Sequence, residues 1–266
     1  MNPPDAGART LARAFLEQRL SAERNALMLE HATREEVLRG LASARRMARP
    51  DAAGRAAEVP SSAAPSAATG AEIGEAPDLE ALAGLVAACS RCSLHEVRKK
   101  PVFGEGAADA RVVCVGEAPG AREDETGRPF VGRAGRLLDR LLMSIGLPRS
   151  SVYICNVLKS RPPRNRDPLP EEVAACAPYL LKQLALIEPE VIIAFGAFAA
   201  RTLLETKSAL GRLRGSVHRY SGYPVVVTYH PAALLRNPGW IRPTWEDLQM
   251  VRRMLDGSGD REDRIG

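Results

Sequence analysis

The sequence predicts an α/β fold, a three-layer α/β/α sandwich around a four-stranded, mostly parallel sheet. Short apolar runs rich in valine and isoleucine alternate with longer amphipathic segments over residues 78–257, which is the pattern of strands joined by helices. The runs are apolar at nearly every position, as parallel strands covered on both faces are. Glycine, proline and polar residues follow the runs and mark the loops.

Strands and helices are predicted to alternate in a fixed order. The strands are expected at 111–117, 152–158, 190–196 and 223–230. The helices are expected at 134–145, 170–186, 197–205 and 244–255. The second helix opens with Pro170 and two glutamates, which suit a first turn. The last is predicted to have Thr244 as its N-cap and Asp247 as the acid of a capping box.

The rest of the chain differs in composition. Residues 1–49 are predicted to form an N-terminal amphipathic helical extension, because apolar residues recur there at helical spacing among Arg and Glu. Residues 50–77 are rich in alanine and proline and have few large apolar side chains, a composition typical of flexible linkers. The main domain is therefore predicted at 78–257, followed by a polar tail at 258–266.

The positive charge lies in the main domain and indicates a polyanionic partner. The net charge is +5, whereas residues 1–77 hold ten arginines and ten acidic residues. Basic residues cluster at 98–100, 159–166 and 207–219. A solvated surface would account for any one cluster, but three in one domain favour nucleic acid.

Several classes of protein are disfavoured by the sequence. No apolar run reaches the length of a membrane span, and the first residues lack the apolar stretch of a secretory signal. The odd number of cysteines, five, argues against a disulfide framework. We therefore expect a cytoplasmic protein without membrane contact.

The loops that follow the strands are expected to form one site. In parallel sheets, ligands bind beyond the carboxyl ends of the strands. The loops 117–135, 156–168, 196–198 and 230–236 should therefore converge.

The first loop reads GEAPGAREDETGRPFVGRAG and offers both a backbone cradle and side chains. Its glycines let the backbone approach a ligand, and the next helix start offers free N–H groups to an anion. Glu117 stands directly at the strand end, and the loop aromatic Phe130 can stack on a base. Glu123 and Glu125 are expected to lie in solvent. The residues of this loop predicted to bind substrate are Gly116, Ala118, Gly120, Asp124 and Phe130.

The second and fourth loops carry charge and a histidine. CNVLKSRPPRNRD places four cations over eight residues, and these are expected to contact phosphates: Lys159, Arg161, Arg164 and Arg166. HPAALLR begins with His230, which can donate to a developing anion. Leu234 and Leu235 form a candidate apolar wedge, with Arg236 beside a phosphate.

These motifs, in this order, resemble those of family 4 uracil-DNA glycosylases. The stretches that carry the resemblance are GEAPGAREDETGRPFVGRAG, NVLKSRPPRNRDPLPEE and HPAALLR, preceded by CSRCSLHEVRKKPVFGEG. The resemblance covers about residues 80–255 and does not extend to residues 1–77. It implies an enzyme that flips uracil out of DNA and hydrolyses its glycosidic bond, leaving an abasic site.

The resemblance assigns roles that fit the residue chemistry. Phe130 would stack on the flipped base, and the Asn156 amide would accept from uracil N3–H and donate to O4, a pattern that cytosine reverses. His230 would donate to uracil O2 as negative charge builds there, and Glu117 would stabilise the sugar cation or activate water. Asn165 matches a further active-site position. No lysine is placed as a Schiff-base nucleophile, so a monofunctional enzyme is expected.

The resemblance also implies a four-cysteine [4Fe–4S] site, from which this chain departs. Cys89, Cys92 and Cys176 match three ligands, and Ser160 stands at the third-ligand position. Three thiolates could hold a cluster with a labile iron or with serine oxygen on it, Cys155 could substitute, or the cysteines could bind zinc or nothing.

Two other functions fit the residues less well than the glycosylase does. A non-catalytic DNA- or nucleotide-binding module of the same fold is disfavoured because Glu117, Asn156 and His230 are all present. A hydrolase of small nucleosides is disfavoured by the wedge and the basic clusters. The expected partner is uracil-containing DNA, single- or double-stranded. The chain is expected to act as a monomer whose N-terminal helices dock on a repair or replication protein.

Overall fold

The structure, a computed structural model, describes residues 70–262. A six-stranded sheet lies between two layers of helices, so the predicted three-layer α/β/α architecture is confirmed. The predicted number of strands, four, is wrong. The helical extension predicted at 1–49 lies outside the described residues. Within the described range no helix is both long enough and apolar enough to cross a membrane.

The sheet has four parallel central strands and an antiparallel strand at each edge. The strands are β1 (Glu105–Gly106), β2 (Val112–Gly116), β3 (Tyr153–Asn156), β4 (Val191–Phe195), β5 (Val217–Tyr220) and β6 (Tyr223–Thr228). Their order is β1-β3-β2-β4-β6-β5, with β3, β2, β4 and β6 parallel. The four predicted strands are these parallel ones.

Helices precede the first strand, connect the strands and follow the last one. They are α1 (Gly70–Glu75), α2 (Leu79–Ala87), α3 (Leu94–Val97), α4 (Ala121–Thr126), α5 (Arg133–Met143), α6 (Pro170–Ile187), α7 (Ala197–Leu203), α8 (Leu210–Leu213), α9 (Pro231–Leu234) and α10 (Ile241–Glu262). Short 3₁₀ turns lie at Arg149–Ser151, Pro163–Asn165 and Pro238–Trp240.

The two unpredicted strands are short, and in both of them exposed and half-buried residues alternate. β1 has only two residues and pairs antiparallel with β3. β5 pairs antiparallel with β6 through a turn at Ser221 and Gly222, whose φ angles are +47° and +90°. Two successive positive φ angles match the type I′ hairpin turn, which suits the twist of the flanking strands.

Each face of the sheet packs on its own helices. Successive strand residues point to opposite faces, so Cys114 and Ile193 pack with α5 and α10, whereas Val115 and Ala194 pack with α6 and α7. Both core clusters consist of fully or almost fully buried apolar residues, which explains why the strands read as continuous apolar runs.

The packed unit begins before the predicted boundary at residue 78. Residues Gly70–Glu75 are helical, and Ile73 and Ala76 are buried beside Leu82 and Tyr179. These residues fall in the segment predicted as a linker, whose apolar content was too low to signal a core element. At the other end, helix α10 continues through residues 258–262 of the predicted polar tail.

The start of α10 is tied to the carboxyl end of β6. The predicted N-cap at Thr244 is wrong, because the helix begins at Ile241 and the Thr244 hydroxyl donates to the Trp240 carbonyl inside it. Asp247 instead accepts from Thr228 Oγ1 at 2.6 Å and from Arg214 Nε at 2.7 Å. Since Thr228 ends β6, these bonds place the first turns of α10 at the carboxyl edge of the sheet.

Candidate active site

A cavity of about 400 Å³ lies at the carboxyl edge of the parallel strands, where such sheets bind ligands. Its walls come from the loops after β2, β3 and β6, as predicted, whereas no residue of 196–198 lines it. The lining residues are Glu117, Ala118, Pro119, Gly120, Glu123, Phe130, Ala134, Asn156, Pro162, Asn165, Arg166, His230, Ala232, Ala233 and Arg236.

Glu117 follows the last residue of β2 and is half-buried in the cavity wall. Burial raises the pKa of its carboxyl above the ordinary value, and the negative charge of Asp167 raises it further. A carboxylate with a raised pKa is a better proton acceptor than an exposed one. Glu117 is therefore suited to orient and deprotonate water. Asp167 is a contributor that the sequence analysis did not single out.

Asn156 ends β3 and is almost completely buried. The parallel pairing of Asn156 with Gly116 brings the two strand ends together. A Cβ atom on Gly116 would lie 2.3 Å from Asn156 Oδ1 and 2.7 Å from Phe130 Cζ. Glycine at 116 therefore makes room for the amide and the ring side by side, which is the close approach expected of this loop.

Phe130 forms one wall of the cavity in an unusual backbone conformation. Its φ is +50°, a region that a non-glycine residue occupies only when its surroundings hold it there. Its ring centroid lies 5.5 Å from that of His230, at an angle of 30°. The aromatic ring predicted to contact a base thus lies beside the histidine predicted to donate to it.

His230 presents one defined tautomer to the cavity. Nδ1 accepts a hydrogen bond from the Ala232 amide at 3.1 Å, so in the neutral imidazole the proton is on Nε2. Burial lowers the pKa of His230 to about 4, and the nearby Arg236 charge contributes in the same direction. The imidazole is therefore neutral at pH 7, with Nε2–H as its donor.

Glu123 was expected in solvent, and the structure contradicts this. Its Oε1 accepts from the amides of Val131 and Gly132 at 2.9 and 3.0 Å. These bonds hold the turn that follows Phe130, and the side chain also lines the cavity. An acid in the first turn of a helix is common on protein surfaces, so no sequence signal marked this one.

Three predicted contacts with substrate or DNA are wrong because the side chains are buried elsewhere. Asp124 is buried outside the cavity and accepts from the Lys99 amide at 2.9 Å. Lys159 is buried, and its ammonium donates to the Asn156 carbonyl at 2.8 Å and to Gln183 Oε1 at 2.6 Å. Leu234 lies in the core with only 1% of its surface exposed, so it cannot be a wedge.

The remaining predicted DNA contacts belong to two chain segments, 161–166 and 235–236, that each contribute residues to the cavity wall. Arg164 and Arg236 are exposed, and Arg236 also lines the cavity. Arg161 donates to Asn165 Oδ1 at 2.8 Å, so Asn165 is held with its side chain oxygen occupied. Arg166 is half-exposed and paired with Glu172, which offsets part of its charge. Leu235, beside the buried Leu234, is half-buried.

The three cysteines that match the resembled family lie in one region. Burial raises the pKa of Cys176 to about 11, and Cys92 and Cys89 are near enough to raise it too. Cys176 Sγ accepts from the Lys159 amide at 3.5 Å. The described part of the chain has no group of three His, Cys, Asp or Glu side chains placed to hold a single metal ion.

Ser160, which stands at the third-ligand position of the resembled family, is buried and hydrogen-bonded. Its hydroxyl accepts from Arg98 Nη1 at 2.9 Å, and Arg98 Nη2 donates to the Cys89 carbonyl at 2.7 Å. Cys155, the alternative ligand, is fully buried in the core cluster against α6 and α7. Burial raises the pKa of its thiol. Cys155 is therefore a core residue, and the suggestion that it replaces the missing ligand is wrong.

Comparison with known families agrees with this fold and site. The profile described as "Uracil DNA glycosylase superfamily" matches residues 103–249. This range contains the sheet, the three catalytic candidates Glu117, Asn165 and His230, and the cavity. The chain belongs to the uracil-DNA glycosylase superfamily.

Individual relatives narrow the assignment to one type. The Type-4 uracil-DNA glycosylase of Thermotoga maritima is 49% identical over 185 residues, 68% of this chain and 96% of that protein. The Type-4 uracil-DNA glycosylase of Pyrobaculum aerophilum is 46% identical over 194 residues, which cover 68% of this chain and 99% of that protein. A Type-5 uracil-DNA glycosylase of the same organism is 34% identical over 178 residues, which cover 60% of this chain and 77% of that protein. The similarity to type 4 confirms the resemblance seen in the motifs.

Proposed function

We propose that this protein excises uracil from DNA by hydrolysing the N-glycosidic bond, leaving an abasic site for base excision repair. The observation that carries the proposal is the convergence of Glu117, Asn156 and His230, each at or beside a strand end, on one cavity. The names of the type-4 relatives support the substrate.

Base recognition is assigned to Asn156 and Phe130. A flipped uracil stacked on the Phe130 ring would present its N3–H and O4 edge to the buried amide. The amide oxygen accepts from N3–H and the amide nitrogen donates to O4. Cytosine presents an acceptor at N3 and a donor at C4, so both partners would mismatch and leave buried polar groups unpaired.

Bond cleavage is assigned to His230 on the base side. Negative charge develops on uracil O2 as the glycosidic bond lengthens. The Nε2–H of neutral His230 donates to this oxygen and stabilises it without transferring a proton. A donor of this type contributes about 3 kcal/mol to the transition state. Since the Ala232 amide fixes the tautomer, the donor is oriented before substrate binds.

Glu117 is assigned to the sugar side. Its carboxylate stabilises the positive charge that builds on the sugar and orients the attacking water, from which it accepts a proton.

The contacts with DNA phosphates are assigned to four arginines, Arg161, Arg164, Arg166 and Arg236. Leu235 is the remaining candidate for a side chain that enters the duplex. Asn165, held by Arg161, faces the cavity beside Glu117.

Asp167 should tune the proton affinity of Glu117. The catalytic form of Glu117 is the carboxylate, and Asp167 raises its pKa. In Asp167→Asn, the pKa of Glu117 falls, so the acid limb of the pH–rate profile for uracil release should move to lower pH. Glu171→Gln, which removes an exposed acid a few residues away, should leave the limb in place. An unmoved limb in Asp167→Asn would refute this coupling.

The proposed reaction is tested with a uracil-containing oligonucleotide. Incubation followed by alkali should cleave the strand at the uracil, and an otherwise identical thymine oligonucleotide should stay intact. The rival function, a binding module of the same fold, predicts retention of the uracil strand without cleavage. Failure of alkali cleavage with folded, DNA-binding protein would favour that rival.

We further propose that Cys89, Cys92 and Cys176 hold an iron–sulfur cluster through three thiolates. Thiolates are the usual ligands of iron–sulfur clusters, and Cys92 and Cys89 are near enough to Cys176 to raise the pKa of its thiol. The N–H bond to Cys176 Sγ suits a thiolate ligand, and the buried Tyr179 hydroxyl, without an oxygen or nitrogen partner, neighbours Cys89. When bound, such a cluster would cross-link α6 to the Cys-x-x-Cys segment.

Restoring the fourth thiol should strengthen cluster retention. Ser160→Cys is expected to keep more iron per chain than the natural protein after challenge with a chelator, measured by iron and sulfide analysis. Ser160→Ala should match the natural protein, because the Ser160 hydroxyl is bonded to Arg98 rather than reserved for iron. Anaerobically purified protein without iron would contradict the three-thiolate site, and lower iron in Ser160→Ala would make serine a ligand.

The remaining expectations rest on the sequence alone. We propose that the glycosylase unit acts as a monomer and that residues 1–49 dock on a repair or replication protein. Sedimentation of the full chain and of a form lacking residues 1–69, with and without DNA, would test the first point.

A further inference from the structure

The two tryptophans of this chain are both exposed and frame the first turn of α10, Trp240 directly before it and Trp245 four residues after its first residue. Trp240 is 39% exposed, Ile241 40% and Trp245 45%, and the sequence contains no other tryptophan. Ile241 and Trp245 are four residues apart in α10 and therefore share a helix face. We call Trp240, Ile241 and Trp245 the tryptophan patch. Large apolar side chains grouped on a surface indicate a binding site.

One ring of the patch is held in a stack. The Trp240 ring lies on Tyr229, with ring centroids 4.5 Å apart and planes 12° apart. The Arg214 guanidinium lies 4.4 Å from the Tyr229 ring centroid and is anchored by Asp247 and by the Pro243 carbonyl. A ring fixed in this way loses little freedom when a ligand stacks on it.

The patch lies at the same edge of the sheet as the active site. Tyr229 directly precedes His230, and the bond from Thr228 to Asp247 fixes the start of α10 at the carboxyl edge. Between His230 and the patch the chain carries Arg236, which is exposed and lines the cavity. The patch is therefore continuous with the surface assigned to DNA.

The charges around the patch match a nucleic acid. Arg236 and Arg242 are exposed beside it, and Arg242 pairs with Glu246 only across solvent, at 3.3 Å with both side chains largely exposed. Aromatic rings bordered by arginine are the common means of binding single-stranded nucleic acid, because every base has a face that can stack. An apolar face without cations would have favoured a protein partner.

We propose that the tryptophan patch binds unpaired bases of the DNA strand that flank the flipped uracil. This rests on the proposed function and extends it, because it gives the enzyme a preference for single-stranded or locally opened DNA. The bases stack on Trp240 and Trp245 while Arg236 and Arg242 contact the backbone. Paired bases in an intact duplex present no free face to the patch.

Tryptophan fluorescence reports on this patch alone. Titration with a single-stranded oligonucleotide without uracil should quench it, whereas the same sequence as a blunt duplex should quench it much less. Trp240→Phe and Trp245→Phe each leave one tryptophan, so that the two contributions can be separated. Unchanged fluorescence with single-stranded DNA would overturn the proposal, as would equal quenching by the duplex.

Affinity and turnover provide an independent check. Trp245→Ala, which leaves the Tyr229 stack intact, should weaken single-stranded DNA binding about tenfold and raise KM on a single-stranded uracil substrate, while the KM on duplex changes little. Met143→Ala is the matched control, since Met143 is an exposed apolar residue at the far end of α5. Equal affinities for Trp245→Ala and the natural protein would overturn the proposal. DNA binding is measured without uracil, so this outcome is separate from whether the protein excises uracil.

Discussion

Replacing His230 with leucine should lower kcat for uracil release about 10²- to 10³-fold, the effect of removing one donor from a developing oxyanion. The Nε2–H of His230 acts only as charge builds on uracil O2, so its loss should appear in kcat and leave DNA affinity nearly unchanged. Among the described residues the mutant loses the bond that His230 Nδ1 accepts from the Ala232 amide, an N-cap contact of about 1 kcal/mol, so it should still fold.

The measurement is single-turnover uracil release with saturating enzyme, together with binding to a uracil-free strand. His218→Leu is the control, because His218 lies in edge strand β5 and bonds to the Leu213 carbonyl away from the cavity. A second outcome concerns pH: since burial lowers the pKa of His230 to about 4, its protonation should produce no limb near the ordinary histidine pKa. A rate that falls as pH rises through 6–7 would mean that the imidazolium is the active form.

Replacing Asn156 with aspartate should change which pyrimidine is excised. A protonated carboxyl donates to cytosine N3 and accepts from its amino group, the reverse of what the amide does. The preference for uracil over cytosine should fall on the order of 10⁴-fold, which is the discrimination a site gains by pairing buried polar groups. Burial favours the protonated form of a carboxyl, and cytosine release should increase as pH is lowered.

Paired oligonucleotides that differ only in uracil or cytosine provide the measurement. Asn237→Asp makes the same substitution on an exposed side chain that follows Arg236 in the chain and should keep the preference for uracil. If Asn156→Asp loses activity on uracil without gaining any on cytosine at any pH, Asn156 would be a positioning residue rather than the base reader.

The central strands were predictable because burial on both faces leaves a clear composition. Val112–Gly116 and Val191–Phe195 are apolar throughout and lie in the middle of the sheet. The edge strands Glu105–Gly106 and Val217–Tyr220 lack this signal, since one is too short and the other alternates exposed and half-buried residues. Their existence depends on a partner strand, which local sequence does not reveal.

The cavity was predictable at strand ends and less so elsewhere. Glu117, Asn156 and His230 could be placed together because the carboxyl ends of parallel strands share one edge. Lys159 was taken for a phosphate contact because lysine is rarely buried. Its burial depends on Gln183, which α6 brings from twenty-four residues away. Such long-range pairing of polar groups leaves no periodic trace in the sequence.

Lys159 links Asn156, the residue proposed to read the base, to helix α6. Its backbone amide reaches Cys176 Sγ in α6, and its ammonium reaches the carbonyl of Asn156 at the end of β3. Gln183 in the same helix accepts a second bond from the ammonium and donates to Tyr153 and to the Phe103 carbonyl. A displacement of α6 would therefore shift Asn156 through the side chain of Lys159. The proposed base selection at Asn156 and the packing of the cysteine region therefore depend on one connected set of hydrogen bonds.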